Sequence, residues 1–295
     1  MVKPDPILLE TISRIGGVDR STLCNATLER FDNGHPLFLD GLDPLRHHTF
    51  RRILARGWFP PHGSQVCPEC LALTGIWQLA WRLPLVTACT AHRVFLITEC
   101  LGCGQRFRRR RHSPMRPDLG STQPCGNPLG PQRHCAHSVL NHKPQSAPLA
   151  VLEVAQAVNL AIEREQTTML GKHAAPQTYL AGLRHVAALL LHLLWRAQDS
   201  ESANGGTEIR SDARHHATTT RGPRWDISPP TSAVLRGRAL AEAHAILCEP
   251  TLGDAGARLA TSLAPIAGTE SGPAILRTLL DEVIVPRRLS GRGLT

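Results

Sequence analysis

The clearest hydrophobic pattern in this chain is helical and lies in its second half. One apolar stripe has the spacing i, i+3, i+4, i+7 and i+11, which predicts an amphipathic helix; its members are Val151, Val154, Ala155, Val158 and Ile162. A second helix is predicted over 177–197, with one apolar face formed by Leu180, Leu183, Ala187, Leu190 and Leu194. Further helices are predicted over 231–249 and 273–285, so the second half should be mainly helical.

The segments between and after these helices have a different composition. Residues 198–230 contain Asn204-Gly205-Gly206 and Pro229-Pro230 and lack a periodic apolar pattern, which predicts a flexible linker. This linker separates a helical region at 147–197 from a C-terminal helical region at 231–285. The last ten residues, 286–295, are basic and are predicted to form a frayed tail.

The first 66 residues predict a small helical domain. Ile12–Thr27 fit a helix-turn-helix, with Gly17 in the turn and Asp19 or Ser21 as the cap of the second helix. The second helix would then point three side chains outward, where groove contacts are made; these are Arg20, Thr22 and Asn25. An ordinary helical hairpin fits the same pattern, and such a domain can also bind protein.

The middle of the chain, residues 67–142, holds seven of the nine cysteines. Cys67-Pro-Glu-Cys70 has a spacing that lets two thiolates face one ion, and Cys89-Thr-Ala-His92 repeats it with an imidazole last. Three thiolates and one ring nitrogen form a set that Zn²⁺ favours in tetrahedral geometry. The sequence therefore predicts a zinc site at Cys67, Cys70, Cys89 and His92.

A second site is predicted from Cys100-Leu-Gly-Cys103-Gly104, whose glycine after the second cysteine is typical of a zinc-ribbon turn. Its other ligands should be Cys125 and Cys135, although a nearby imidazole could replace one of them; the candidates are His134, His137 and His142. Cysteines can also serve as small buried hydrophobic side chains, and we assign Cys24 and Cys248 to this class. A redox-active Cys-x-x-Cys is the other alternative, and it needs a strand–helix context.

The predicted zinc sites are structural. A catalytic zinc keeps three protein ligands and an open position, whereas each set here offers four. A zinc deaminase would also need a His-x-Glu unit before its Cys-x-x-Cys, and the sequence has none. No phosphate-binding loop ending in Gly-Lys-Ser/Thr occurs, so an ATPase activity would come from another chain. We therefore expect no catalytic residues and no enzyme activity.

The balance of charge favours an acidic partner, and nucleic acid is the commonest. The formal net charge is +9, and almost all of the 33 basic residues are arginines. Five arginines surround Phe107, and each could neutralise a phosphate of DNA or of a guide RNA; they are Arg106, Arg108, Arg109, Arg110 and Arg111. A solvated basic face is the alternative, and compositional bias also enriches arginine. Arg51, Arg52 and Arg56 precede the first zinc set and could extend the patch.

No signal peptide and no apolar stretch long enough to span a bilayer is visible, so we expect a cytoplasmic protein without membrane contact. Reducing conditions there favour metal binding over disulfides for clustered cysteines.

The cysteine region resembles the zinc-finger signature of the TniQ family. The match spans about 54–135, and the residues that carry it are Cys67-Pro-Glu-Cys70-Leu71, Trp77, Trp81, Leu83-Pro84-Leu85, Cys89-x-x-His92, Leu96 and Cys100-x-x-Cys103-Gly104. Trp77 and Trp81 should pack against the zinc module rather than stack on nucleotides. The family pattern opens with a longer segment than the one before Ile7, so we expect a shortened N-terminal domain.

The resemblance implies a mainly α fold with small β zinc-ribbon elements. Its domains would be a helix-turn-helix-like N-terminal domain, a central double zinc finger and a C-terminal helical region. It also implies an adaptor of mobile elements that links target recognition to a TnsC-type AAA+ ATPase. Some relatives, of the TnsD type, bind a DNA site directly, and others dock on an RNA-guided effector complex. Homodimer formation stays open.

Two other function classes fit parts of the same sequence. A stand-alone zinc-dependent DNA-binding transcriptional regulator would share the helix-turn-helix and zinc features but lack an ATPase partner. A zinc hydrolase would need a labile, water-ligated metal. Neighbouring genes for a transposase and an ATPase would favour the adaptor.

Overall fold

The computed structural model describes residues 2–60, 63–108, 123–131, 133–196 and 223–267. Within these ranges the protein is mainly helical with a few short strands, which confirms the predicted class. Eight α-helices are described: α1 Pro6–Gly16, α2 Arg20–Asn25, α3 His47–Leu54, α4 Pro68–Thr74, α5 Leu149–Ile162, α6 Pro176–Arg196, α7 Ala233–Leu247 and α8 Leu252–Ala267. No helix of the described part combines the length and the apolarity that a bilayer crossing requires.

Two small antiparallel sheets accompany the helices. One pairs β1, Ala88–Cys89, with β2, Val94–Phe95, and the other pairs β3, Thr167–Met169, with β4, Lys172–Ala174. Three short 3₁₀ turns lie at Leu28–Phe31, Leu79–Arg82 and Val139–Asn141. Among the described residues between 63 and 147, the regular elements are α4, the first sheet and two of the 3₁₀ turns, so loops dominate that part.

The first two helices begin at side-chain caps. Asp5 accepts the backbone N–H of Ile7 at 2.8 Å, and α1 ends at Gly17, whose φ of 62° is the left-handed conformation that favours glycine. Asp19 caps α2 by accepting the N–H of Thr22 at 3.0 Å. Asp19 and Ser21 are the two candidate caps from the sequence. Asp19 is the capping residue, and Ser21 donates its hydroxyl hydrogen to the Asp19 carboxylate.

The C-terminal helices pack as the hydrophobic pattern predicts. All five stripe residues of α5 are buried, and on α6 the buried predicted face comprises Leu180, Leu183, Ala187 and Leu190. The side chain of Leu194 lies outside the described part. Helix α7 packs against both α5 and α6, and α8 packs against α7. The sequence pattern did not predict α8 or the β3–β4 hairpin.

Residues 223–230 differ from the predicted flexible linker. Trp225 is fully buried, and its carbonyl accepts the indole N–H of Trp58 at 2.7 Å. The backbone N–H of Trp58 donates to the carbonyl of Ile227 at 2.8 Å. One large apolar side chain therefore anchors this stretch to the N-terminal region despite its polar, proline-containing composition. Residues 197–222, the predicted helix at 273–285 and the basic tail lie outside the described residues.

A buried arginine joins α7 to the cysteine region. Arg236 is 2% exposed and donates to the carbonyls of Pro84 at 3.0 Å and Thr231 at 2.7 Å, and to that of Pro230. It also donates to Oε1 of Gln65 at 2.5 Å. The amide of Gln65 in turn donates to three carbonyls, those of Trp81, Leu83 and Val86.

This network generates a stability prediction. Arg236→Ala strips partners from buried acceptors, and we expect it to lower the free energy of unfolding by on the order of 3 kcal/mol. The exposed Arg238 of the same helix supplies the control, because contacts of an exposed arginine are screened by solvent and Arg238→Ala should cost about 1 kcal/mol or less. Urea unfolding of both metal-loaded variants measures the difference, and equal losses would contradict the structural role of Arg236.

Candidate metal centres

The first candidate metal centre is formed by Cys67, Cys70, Cys89 and His92. Cys67 immediately precedes α4 and Cys70 lies in its first turn, where Pro68 starts the helix without needing a hydrogen-bond partner. Cys89 ends β1, and His92 lies in the turn that leads to β2. A short helix and a hairpin turn therefore bring the four side chains to one point from two sequence positions about 20 residues apart.

The distances in this centre identify the donor atoms. Nδ1 of His92 lies 3.5 Å from the sulfur of Cys67, 3.2 Å from that of Cys70 and 3.4 Å from that of Cys89. The sulfurs of Cys70 and Cys89 are 3.5 Å apart. Nε2 of His92 faces the carboxylate of Glu69 at 3.8 Å, which suits a partner that orients the ring.

The second candidate centre is formed by Cys100, Cys103, Cys125 and Cys135. The sulfurs of Cys100 and Cys135 are 3.8 Å apart, as are those of Cys103 and Cys125. Gly104, with φ of 63°, closes the turn after Cys103, and its N–H donates to the carbonyl of Cys100 at 2.7 Å. Backbone pairing between the segments around Cys125 and Cys135 brings the other two sulfurs to the same place.

Both sets have the dimensions of a tetrahedral metal site. Ligand bonds of about 2.3 Å to sulfur and 2.0–2.1 Å to nitrogen place sulfur pairs about 3.8 Å apart and sulfur–nitrogen pairs about 3.5 Å apart. The measured separations, from 3.2 to 3.8 Å, lie close to these values. In each set all donor atoms lie within 4.8 Å of one another. Each set could therefore hold one metal ion.

The electrostatics of the sulfurs fit the same interpretation. A hydrogen bond from Cys67 lowers the pKa of Cys89 to about 4, and the same contact raises the pKa of Cys67. Burial raises the pKa of Cys70 to about 11 and also raises that of Cys125. Closely packed thiolates repel one another, so a cation is needed before all the sulfurs can ionise together.

The histidines near the second centre lie outside the donor set. His142 packs its ring 5.5 Å from the ring of Phe107, and His137 lies 5.2 Å from His142. A side chain at Gly102 would clash with His137, because an added Cβ would lie 2.6 Å from the Cβ of that residue. His134 is exposed. The structure therefore groups Cys135 with the other cysteines, and the imidazoles pack beside them.

Sequence reasoning missed a buried supporting residue. Asn127 is 3% exposed and donates to the carbonyl of Arg106 at 2.9 Å, with the sulfur of Cys103 at 3.7 Å. It thereby joins the Cys125 segment to the Cys103 turn. An asparagine two residues after a ligand is too common a pattern to predict this role.

Aromatic rings from the segments that follow Cys70 and Cys103 pack together. The ring of Trp77 lies 6.0 Å from that of Trp81 and 5.8 Å from that of Phe107, and its indole N–H donates to Ser64 at 2.8 Å. Trp81 and Phe107 are buried. The two tryptophans thus pack within the cysteine region, as expected from the sequence.

The predicted nucleic-acid-binding residues have different environments. Arg20, Thr22 and Asn25 are exposed on α2, although the hydroxyl of Thr22 is bound to Asp19. The guanidinium of Arg108 lies 4.1 Å from the centre of the Trp77 ring, and that of Arg106 packs against Gly63. The other three arginines of the run lie outside the described residues: Arg109, Arg110 and Arg111.

The two remaining cysteines do not share one environment. Cys24 is partly buried, whereas Cys248 is exposed, so its assignment as a buried hydrophobic side chain is wrong. Cys248 caps the C-terminus of α7, where its sulfur lies 3.4 Å from Nδ1 of His244 on the preceding turn.

A metal analysis tests both centres. We expect two metal ions per chain, one for each four-residue set, and loss of one ion in the Cys67→Ser/Cys70→Ser variant, because two remaining donors hold a metal weakly. Elemental analysis by mass spectrometry counts the ions. Cys24→Ser/Cys248→Ser is the matched control and should retain both; a wild-type chain without metal would contradict the assignment.

Comparison with known proteins gives one match. The model of the TniQ family matches residues 2–96, about a third of the chain. The matched region contains α1 to α4, both strands of the first sheet and the whole first donor set, and it ends before Cys100. It also crosses the boundary at 66/67 that the sequence suggested. No curated protein and no solved structure gives a significant match.

Proposed function

We propose, from the premise that this chain is a member of the TniQ family through its domain at residues 2–96, that it is an adaptor in DNA transposition. It would link a target-recognition element, either a DNA site or an RNA-guided effector complex, to a TnsC-type AAA+ ATPase. The family is associated with transposition and has a non-catalytic adaptor role. The observation that carries the proposal is the match over a helical N-terminal region together with a complete four-donor metal set.

The metal in both centres is assigned as structural Zn²⁺. Three sulfurs with one nitrogen, and four sulfurs, are donor sets that zinc favours, and each set fills a tetrahedron without an open position. Bound zinc supplies a crosslink between distant chain segments. The second centre, with its glycine turn after Cys103, is interpreted as a small zinc ribbon that extends beyond the matched domain.

Helices α1 and α2 are interpreted as a helix-turn-helix-like pair. They are joined by the short turn Gly17–Asp19, which suits this motif. Helix α1 has an exposed apolar side that continues into the following turn. The side chains on it are between 36% and 78% exposed, and they are Ile7, Leu8, Ile12, Ile15 and Val18. Because such a surface is typical of protein contacts, we assign it to the ATPase.

A binding experiment tests the adaptor role. A TnsC-type ATPase from the same genome should co-elute with this chain in the presence of ATP and DNA. Ile7→Glu/Ile15→Glu should weaken that binding at least tenfold, because burying each isoleucine contributes about 1.5–3 kcal/mol. Leu73→Glu is the matched control, since Leu73 on α4 is as exposed as Ile15, at 77% against 78%.

The same experiment separates the alternative function. A stand-alone transcriptional regulator would bind a DNA sequence with equal affinity whether or not the ATPase is present. Specific DNA binding by the wild-type chain without any ATPase association would therefore favour the regulator and overturn the adaptor.

A further inference from the structure

The exposed side of α3 concentrates arginine. We infer that three residues of this helix and its C-terminal end, Arg51, Arg52 and Arg56, bind the phosphodiester backbone of double-stranded DNA. This arginine face lies inside the matched domain but outside the predicted helix-turn-helix and outside the run around Phe107. The inference rests on the proposed function for its choice of DNA and adds the surface that contacts it.

The burial pattern of α3 fixes the direction of these side chains. Thr49 and Ile53 are 4% and 1% exposed and turn one side of the helix toward the core. All three arginines are exposed: Arg51 lies opposite the buried side, and Arg52 and Arg56 lie at its edge, toward the loop at residues 38–41. Arg52 and Arg56 are four residues apart, so their side chains start about 6 Å from each other on adjacent turns.

These three arginines form no ion pair in the described part of the chain, and against their three charges stands one carboxylate in the loop they contact, that of Asp40 between Phe38 and Gly41. Other arginines of the described part form ion pairs: Arg30 with Glu163 at 2.7 Å, Arg46 with Asp43 at 3.2 Å, and Arg258 with Glu242 and Glu249, both at 3.2 Å. Within the described ranges, no carboxylate oxygen lies within 4.0 Å of the guanidinium nitrogens of the arginine face. Asp43, in the loop before α3, is already engaged by Arg46.

Neutral contacts position two of the three guanidinium groups. Arg56 donates to the carbonyl of Phe38 at 2.9 Å, and Arg52 to that of Gly41 at 3.4 Å. Each contact uses one of the five N–H donors of a guanidinium and leaves its charge unpaired. The remaining donors form a planar fork that suits phosphate oxygens better than a lysine ammonium would.

A partly buried arginine of α6 fixes the end of the helix. Arg184 donates to the carbonyl of Arg56 at 2.5 Å and to that of Gly57 at 3.1 Å. Gly57 has φ of 92°, and an added Cβ there would lie 2.6 Å from the carbonyl oxygen of Asp226. The arginine face is therefore mounted on a helix whose C-terminal end is held by α6 and by the segment around Asp226.

The shape and spacing of the charge favour DNA over an acidic protein. The three arginines lie within residues 51–56, which span about 7.5 Å along the helix axis, a length over which duplex DNA presents about four phosphate charges. Helix α2, by comparison, has one arginine beside the carboxylate of Asp19, so its local charge is close to neutral. The arginine face is thus the more strongly basic of the two surfaces in the matched domain.

A salt titration tests the inference. Binding of the full-length, metal-loaded chain to a fluorescent 30-base-pair duplex of arbitrary sequence is measured by anisotropy over a range of salt concentrations. Each lost phosphate contact lowers the slope of log K against log salt by about 0.9. Arg51→Gln/Arg52→Gln should therefore reduce the slope by about 1.8, so raising salt from 50 to 200 mM should weaken this variant about 12-fold less than wild type.

Three controls make the result specific. Arg30→Gln/Arg258→Gln removes the same charge from paired arginines and should leave the slope unchanged. Arg51→Lys/Arg52→Lys keeps the charge and should retain the slope while weakening binding modestly. Metal content and elution volume confirm that each variant is folded. If the double glutamine variant does not fold, the lysine variant and Arg56→Gln provide the test, and Arg56→Gln should lower the slope by about 0.9.

Two results would overturn the inference. An unchanged slope in the folded glutamine variant would place the phosphate contacts elsewhere, for instance in the run around Phe107. Competition by polyglutamate as effective as competition by unlabelled duplex would identify an acidic protein as the partner. The proposed function and this inference can fail separately. If the ATPase does not associate but the salt slope of DNA binding falls in the glutamine variant, the adaptor role is wrong and the arginine face still binds DNA.

Discussion

The structure depends most on the convergence of eight cysteine and histidine side chains into two sets of four donors. In the described part of residues 63–147 the regular elements are one short helix, one two-stranded sheet and two 3₁₀ turns, so backbone hydrogen bonds leave most of it without a regular framework. Sulfurs less than 4 Å apart cannot all carry charge unless a cation lies between them. A metal in each set would turn that repulsion into a crosslink.

The two sets are not isolated modules. Trp77, from the segment after Cys70, packs on Phe107, from the segment after Cys103, and the region shares one hydrophobic core with α3 and the C-terminal helices. Trp58 and Trp225 join the N-terminal region to the segment before α7. The proposed adaptor role would use such continuity, because surfaces that contact different partners must keep a fixed relation to one another. Ile53 of α3 belongs to this core, so the arginine face lies on the common framework, and α1 reaches it through its contacts with α2.

Features encoded locally were predictable from the sequence, and features that depend on distant contacts were not. The apolar stripe of α5 follows the helical period, so the pattern alone predicts that helix. The first donor set consists of two short units, Cys67–Cys70 and Cys89–His92, whose spacing and ligand chemistry predict a metal site. The burial of Trp225 depends on Trp58, 167 positions away in the chain. The β3–β4 hairpin has strands of three residues, which are too short to show an alternating pattern. Asn127 and Arg236 likewise gain their roles only from carbonyls that folding brings to them.

The position of Gln65 gives the metal region an influence beyond its own loops. This residue lies two positions before Cys67, and its amide holds the carbonyls of Trp81, Leu83 and Val86, while its oxygen accepts from Arg236 of α7. Metal binding at the first centre and the packing of α7 would therefore be thermodynamically linked. A metal that orders the Cys67 segment also fixes Gln65, whose Oε1 accepts the hydrogen bond from Arg236 of α7. Loss of a metal from the first centre would therefore weaken the packing of α7, although α7 supplies no ligand to that centre.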